Sequence, residues 1–325
     1  MIVGENMKKK KIFIVVGIVI LLVAIGFGLF KYIEYRNSDY YKLKELGYSE
    51  EDTNRMLDKF EEKQIVSILK KEYDENIPKL MKQKYFMFDN LDRYLSYIKT
   101  TNSKDLKDVV SVVNVGADKD FYEDTEPTDT SKGILMLVNK YHYLSEDFVP
   151  ENITDISVMY AYDDNQATLE AYDAYKSMWY AAKNEGLLLI TNSTYRDYES
   201  QDIVYTSYKY SQGQEWADGV AARPGHSEHQ TGLAFDILTN GYNMDDFETS
   251  DEFKWLSKNA HKYGFILRYP KGKEHITGYS YESWHYRYVG VKVATEVHEK
   301  DITYDEYYEF YLKGSLSSSV GDVQN

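Results

Sequence analysis

The apolar positions of this chain follow three rhythms, and each assigns a different kind of element. From Ile12 to Phe30 the sequence runs 19 residues without a charge, directly behind Lys8–Lys11. A helix of that length spans about 28 Å at about 1.5 Å per residue, close to the ~30 Å hydrocarbon core of a bilayer. The segment is apolar all round, which argues for lipid rather than for a half-buried core helix. From Tyr32 to Thr101 apolar residues recur three and four apart: Met56, Leu57 and Phe60, then Ile65, Ile68 and Leu69, then Leu91, Tyr94, Leu95 and Ile98. That period predicts helices, and Ser49 with Asp52 three residues on marks one N-terminus. After the apolar run Val109–Val115 comes the acidic, turn-rich Asp118–Asp129, which sets a domain boundary at its end.

Beyond it the rhythm mixes short apolar runs with helical stretches. Strands are expected at Gly133–Val138, Leu187–Thr191, Leu233–Leu238, Phe265–Tyr269 and Trp284–Val289. Helices are expected at Gln166–Glu185, closed by Gly186, at Thr249–Tyr263, closed by Gly264, and at Tyr304–Leu312. Leu169, Tyr172, Met178 and Ala182 fall on or near one face of the first. The polar Tyr198–Gly219 is expected to cover or rim a site, and Gly314–Asn325 to be a disordered tail. Helices and strands alternate without a regular βαβ repeat, so the class is α+β. The expected division is 1–31 for a basic cluster and membrane anchor, 32–129 for a helical accessory region, 130–313 for the functional domain and 314–325 for the tail.

Charge narrows the location and the partners. Lys8–Lys11 hold the N-terminus in the cytoplasm, so everything after Lys31 faces the outside. No small-x-small site follows the apolar run, which predicts an uncleaved anchor in the cell membrane. The chain carries −15 overall and +3 in its first thirty residues, which leaves −18 for the rest. Nucleic acid is a poor partner for such a surface. The absence of cysteine excludes thiol nucleophiles, thiolate metal sites and disulfides.

The chemistry concentrates in two stretches, Arg223–Asp236 (RPGHSEHQTGLAFD) and Glu282–Tyr288 (ESWHYRY). The first holds His229 and Asp236, the second Glu282 and His285. Two imidazoles and a carboxylate are a common way to hold zinc with one position left for water. A carboxylate that does not bind the metal can then take the water's proton. Gly232 lies between the first two candidates, where the chain needs a turn or close packing. Any one of the seven histidines, taken singly, reads as structural. The four residues together carry the chemistry. Glu282 and His285 are three apart, so in an unbroken strand they face opposite ways, and a shared site requires a bend near Ser283. Ser193, Tyr195, Arg196 and Gln201 follow the Leu187–Thr191 strand, at a strand's end where sites are often built.

SEHQTGLAFD, ESWHYRYVG and STYRDYESQ, with LVNKYHYL and YGFILRYP, resemble the VanY-type zinc D-alanyl-D-alanine carboxypeptidases over about Gly133–Val291. The resemblance implies Zn2+ on His229, Asp236 and His285, with Glu282 as the catalytic base. It also implies Arg196 and Ser227 as substrate contacts, the former facing either the substrate's terminal carboxylate or a nearby carbonyl. Tyr195, Gln201, Trp284, Tyr286 and His226 are expected to shape the pocket. Ser283 stands where family members often have proline. The implied activity is removal of the C-terminal D-Ala from peptidoglycan stem peptides. An L,D-carboxypeptidase acting on tetrapeptide stems stays open beside it, as does a wall-binding module without turnover, against which the presence of Glu282 weighs. A sensor or scaffold built on the helical region is a weaker alternative.

Overall fold

The N-terminal apolar run lies inside one helix, α1 (Ile2–Asn37), of which Phe13–Asn37 is long and apolar enough to cross a membrane. The computed structural model describes residues 2–313 apart from Asp163, as backbone alone over residues 2–12. The stretch 314–325, expected as a tail, lies outside the described residues. Side chains from Phe13 to Asn37 are exposed, which separates this helix from a core helix of the same composition.

Two compact units divide between Leu91 and Asp92. The first follows the helical period of its sequence. It contains α1, α2 (Asp39–Leu46), α3 (Glu50–Lys59), α4 (Glu62–Leu69) and α5 (Asn76–Leu80). Ser49 caps α3 by accepting the Asp52 N–H at 3.0 Å. Leu43, Met56, Ile65, Ile68, Ile77 and Leu80 are buried.

The second unit begins upstream of the boundary expected after Asp129. It takes in α6 (Leu91–Thr101) from Asp92 onward, and α7 (Leu106–Val115), where the run Val109–Val115 is a buried helix. Ser111 on α7 bonds Glu306 at 2.6 Å, and Asp108 bonds His275 at 2.7 Å. Segments this far apart in sequence can meet only through tertiary packing, which no local pattern announces.

After α7 come β1 (Glu126–Pro127), paired in parallel with β2 (His142–Tyr143), and β3 (Ile153–Asp155), antiparallel to β4 (Gln166–Thr168). The main sheet has four antiparallel strands: β5 (Ile190–Ser193), β6 (Ala234–Leu238), β7 (Phe265–Leu267) and β8 (His285–Tyr288), in the order β5-β6-β8-β7. Helices α8 (Leu169–Asn184), α9 (Tyr198–Gln212), α10 (Gln214–Val220), α11 (Asp251–Asn259), α12 (Glu274–Thr277), α13 (Val291–Lys300) and α14 (Tyr304–Tyr307) surround it. The class is α+β.

Alternation gives the sheet two faces. Phe235, Ile237, Tyr286 and Tyr288 enter the main core with Tyr175, Met178, Trp179 and Ala182 of α8. Tyr175 stacks on Phe235 at 5.2 Å, and the Trp179 indole donates to the Leu189 carbonyl at 2.9 Å. Asp236, His285 and Arg287 point to the other face.

Two local expectations differ from the structure. Gly133–Val138 is not a strand. Residues Thr130–Leu135 form a 3-10 turn, broken at Gly133 (φ 55°, ψ −124°). Its carbonyls serve side chains instead of a ladder: Arg287 donates to Ile134 O and Met136 O, and Thr128 to Leu137 O. The helix expected from Gln166 starts at Leu169, because Gln166–Thr168 pairs with Ile153–Asp155, and Leu169 itself is exposed. The polar Tyr198–Gly219 forms two helices with Gly213 between them.

Candidate active site

Strand register brings the first two candidates together. Asp236 on β6 lies directly opposite His285 on β8, and Ser193 on β5 lies on the other side of Asp236. The third, His229, sits on a 3-10 turn, Glu228–Thr231, that leads into β6. Gly232 ends this turn at φ 66°, in the left-handed region, and a Cβ there would meet Pro150 at 3.2 Å and Thr168 at 3.3 Å. A side chain would therefore be strained twice, by its φ and by the wall it faces.

The resulting cluster is tight and buried. Asp236 Oδ1 is 3.0 Å from His285 Nδ1, and Asp236 Oδ2 is 3.4 Å from His229 Nε2. One donor atom from each of the three residues falls within 4.8 Å of the others, so the group can hold a metal ion. The donors fit that purpose: two imidazoles and a carboxylate, dry and without a competing thiol. Each histidine's far nitrogen has its own neighbour. His229 Nδ1 is 2.5 Å from the Thr194 carbonyl, and His285 Nε2 is 3.6 Å from Glu228 Oε2. Burial raises the Asp236 carboxyl, but the two histidines outweigh it and hold its pKa well below the usual carboxylate range.

Glu282 reaches the same place because the chain bends at Ser283 and Trp284 before β8 begins. Its Oε2 is 3.7 Å from His285 Nδ1. Burial pushes its pKa up to about 8, with His285 opposing and Asp236 reinforcing. A carboxyl so placed is suited to exchange a proton near neutral pH. Arg196 lies beyond β5, anchored by its backbone N–H on the His229 carbonyl at 3.2 Å. Its buried Nε has no hydrogen-bond partner among the described residues. Burial lowers its pKa, against the attraction of Asp236 and Glu282.

These residues line one pocket of about 280 Å³, together with Ser227, Gln201 and Trp284. Ser227 also caps the 3-10 turn, its Oγ accepting the His229 N–H at 3.3 Å. Gln201 donates to the Ala222 carbonyl at 2.7 Å and leaves Oε1 without a partner among the described residues. From α9 and α10, Val204, Tyr208, Trp216 and Val220 complete the wall.

The family model for D-alanyl-D-alanine carboxypeptidase, VanY, matches residues 164–291. YodJ of Bacillus subtilis (strain 168) is 41% identical over 191 residues, covering 57% of this chain and 70% of that protein. The D-alanyl-D-alanine carboxypeptidase of Enterococcus faecium is 33% identical over 199 residues, covering 58% of this chain and 61% of its own length. Among solved structures, the LdcB LD-carboxypeptidase is 40% identical with a TM-score of 0.54, covering 58% of this chain and 91% of that one. The chain belongs to the VanY family of carboxypeptidases.

Three residues expected in this VanY-family pocket lie elsewhere. Tyr195 is half-buried and is not among the lining residues, its N–H being spent on the Gln166 carbonyl. Tyr286 is on the core face of β8. His226 lines a separate surface cavity, with Nδ1 2.8 Å from the Asn139 carbonyl and its ring edge-on to Tyr122. In each case aromatic character and nearness in sequence do not decide the direction of the side chain.

Sequence reasoning also passed over the charges behind the cluster. Glu228, Arg268, Arg287 and Asp305 are all buried and paired with one another. One signal was available: Arg287 is two residues beyond His285 in a strand, so it shares that face. A fully buried arginine there requires buried acidic partners.

Proposed function

We propose that this chain is a membrane-anchored zinc carboxypeptidase that trims the C-terminal D-amino acid from peptidoglycan stem peptides, D-Ala-D-Ala termini being the first choice. One observation carries the proposal: a buried His–Asp–His cluster, a carboxyl of raised pKa and an unpaired arginine converge on a single pocket. His229, Asp236 and His285 would hold the zinc, which when bound would lower the pKa of water and polarise a carbonyl. Glu282 takes the proton from the attacking water and returns it to the leaving amine. Arg196 offers a planar fork to the peptide's C-terminal end, and Ser227 and Gln201 are placed to contact the peptide beside it.

The second choice, an L,D-carboxypeptidase, is favoured by the higher identity to LdcB, 40% against 33% for the Enterococcus faecium enzyme. Mass spectrometry of pentapeptide and tetrapeptide stems, incubated with the zinc-loaded full chain in detergent, separates the two. Loss of D-Ala from the pentapeptide alone supports the first, and loss from the tetrapeptide alone supports the second. No cleavage of either sinks both.

Arg196 supplies a further test. A carboxypeptidase must tell a free terminus from a continuing chain, and a partly desolvated carboxylate needs a charged partner. Arg196→Lys keeps the charge but loses the fork, so kcat/KM for the free-acid peptide should fall while zinc content and fold stay. The unaltered enzyme should act poorly on the C-terminal amide. Unchanged kinetics in both Arg196→Lys and Arg196→Ala would leave this arginine without a role in binding.

Placement outside the cell follows from Lys8–Lys11 preceding the apolar helix. A reporter fused after Tyr35 should be active only outside. Activity in the cytoplasm would reverse the orientation, and a shortened chain in the medium would show cleavage.

A further inference from the structure

Two buried polar atoms face each other behind the candidate metal cluster, and neither has a hydrogen-bond partner among the described residues. They are Glu228 Oε2 and His285 Nε2, 3.6 Å apart. The rest of Glu228 is fully engaged. Its Oε1 accepts from Arg268 Nε at 2.9 Å and from Arg287 Nη1 at 2.8 Å. Both arginines are pinned in turn. Arg268 makes a two-pronged pair with Asp305 at 2.6 and 3.2 Å, and Asp305 accepts from Asn139 at 2.8 Å. Arg287 donates its Nη2 to the carbonyls of Ile134 at 3.1 Å and Met136 at 2.8 Å, and its Nε to the Tyr288 carbonyl at 3.1 Å.

We propose that Glu228 is a positioning residue for His285, with Oε2 as the acceptor that keeps the proton on Nε2 and the Nδ1 lone pair turned toward Asp236 and His229. The proposal rests on the reading of His229, Asp236 and His285 as metal ligands. Two arginines balance Glu228 and Asp305, so the network is complete in charge without His285. The oxygen that faces the imidazole is therefore surplus to neutralising the arginines. A wholly buried set of charges is poor value as stability alone, since well-packed apolar residues often do as well. Its rigidity gives the ring one orientation. His229 is treated in the same way by the Thr194 carbonyl at 2.5 Å, on its Nδ1. Each ring thus has an oxygen facing its nitrogen away from the cluster, the Thr194 carbonyl at hydrogen-bond distance and Glu228 Oε2 at 3.6 Å, an arrangement that commonly fixes a ligand's tautomer.

The test uses the full chain in detergent. Glu228→Gln can keep its oxygen on the arginines only by turning its amide N–H group toward His285 Nε2. A donor there favours the proton on Nδ1, where it blocks the metal. Zinc affinity, measured by chelator competition, should fall about 10–100-fold, and the visible spectrum of the cobalt-substituted protein should change. In 15N-histidine NMR of the zinc-loaded unaltered protein, His285 should carry its proton on Nε2. Glu228→Asp keeps the charge but withdraws the oxygen, so it should weaken zinc binding even if Glu228→Gln fails to fold. Asp305→Asn breaks the Arg268 pair without touching His285, and should lower the melting temperature while leaving zinc affinity and the cobalt spectrum unchanged. Wild-type affinity and spectrum in the Glu228 variants would overturn the proposal. So would a loss of zinc in Asp305→Asn equal to theirs, since that is what a purely structural network gives. If the unaltered chain takes up no zinc, the metal reading itself fails, and this role with it.

Discussion

A chain carrying Glu282→Gln is expected to retain one zinc and to turn over stem peptides about 10²–10⁴-fold more slowly, the usual contribution of a general base. The substitution preserves shape at a buried position and removes only the proton acceptor. Burial is the leading cause of the raised pKa of Glu282, and a cation bound at the neighbouring cluster would favour the carboxylate and oppose it. The base form is then available at neutral pH. Elemental analysis after desalting reads the zinc, and mass spectrometry of the peptide products reads the turnover. A rate near that of the unaltered enzyme would assign the base to another group.

His285→Ala is expected to lose zinc and activity together, the latter to the background rate. One of the three proposed ligands is removed from a site with no thiol and, among the described residues, no further imidazole in the cluster to substitute. The same change strips the cation from between Asp236 and Glu228. In the metal-free protein burial disfavours the charged imidazole, yet the carboxylates of Asp236, Glu228 and Glu282 hold its pKa up to about 9. Removing it leaves buried carboxylates facing one another, so the variant should also melt at a lower temperature. His285→Gln, nearer in volume, separates loss of metal from loss of packing. The raised pKa has a sign: protons and zinc compete at His285, so zinc uptake should weaken as pH falls below about 9. Full zinc content in His285→Ala would remove this residue from the ligand set.

How far the sequence went can be argued from particular residues. The apolar run after Lys8–Lys11, the helical period through Thr101 and the strand around Asp236 are local patterns, and local patterns survive translation into structure because they reflect solvent exposure residue by residue. The candidates His229, Asp236, Glu282 and His285, which the structure brings to one pocket, were legible for another reason: their types and spacing are those that the proposed chemistry asks for, whatever fold carries them.

Tertiary structure decided what spacing leaves open. That Asp236 and His285 lie opposite each other is a matter of strand register, set by which neighbours pair across a sequence separation of 49. Whether Glu282 joins them depended on a bend at Ser283 and Trp284 that a run of alternating residues does not reveal. Gly133–Val138 looked like a strand because a 3-10 turn running into the buried Met136–Val138 shares a strand's apolar composition, and the destination of its carbonyls, Arg287 and Thr128, tells them apart. Tyr286 carried the right chemistry but takes the core face of β8, since side-chain direction follows the face of the element, while His226 faces a separate cavity and Tyr195 is not among the residues lining the pocket. The buried network of Glu228, Arg268, Arg287 and Asp305 joins four segments of chain. Each charge in it, met singly along the sequence, has the look of a solvated surface residue. Only the burial of all four together shows that they stand behind the site.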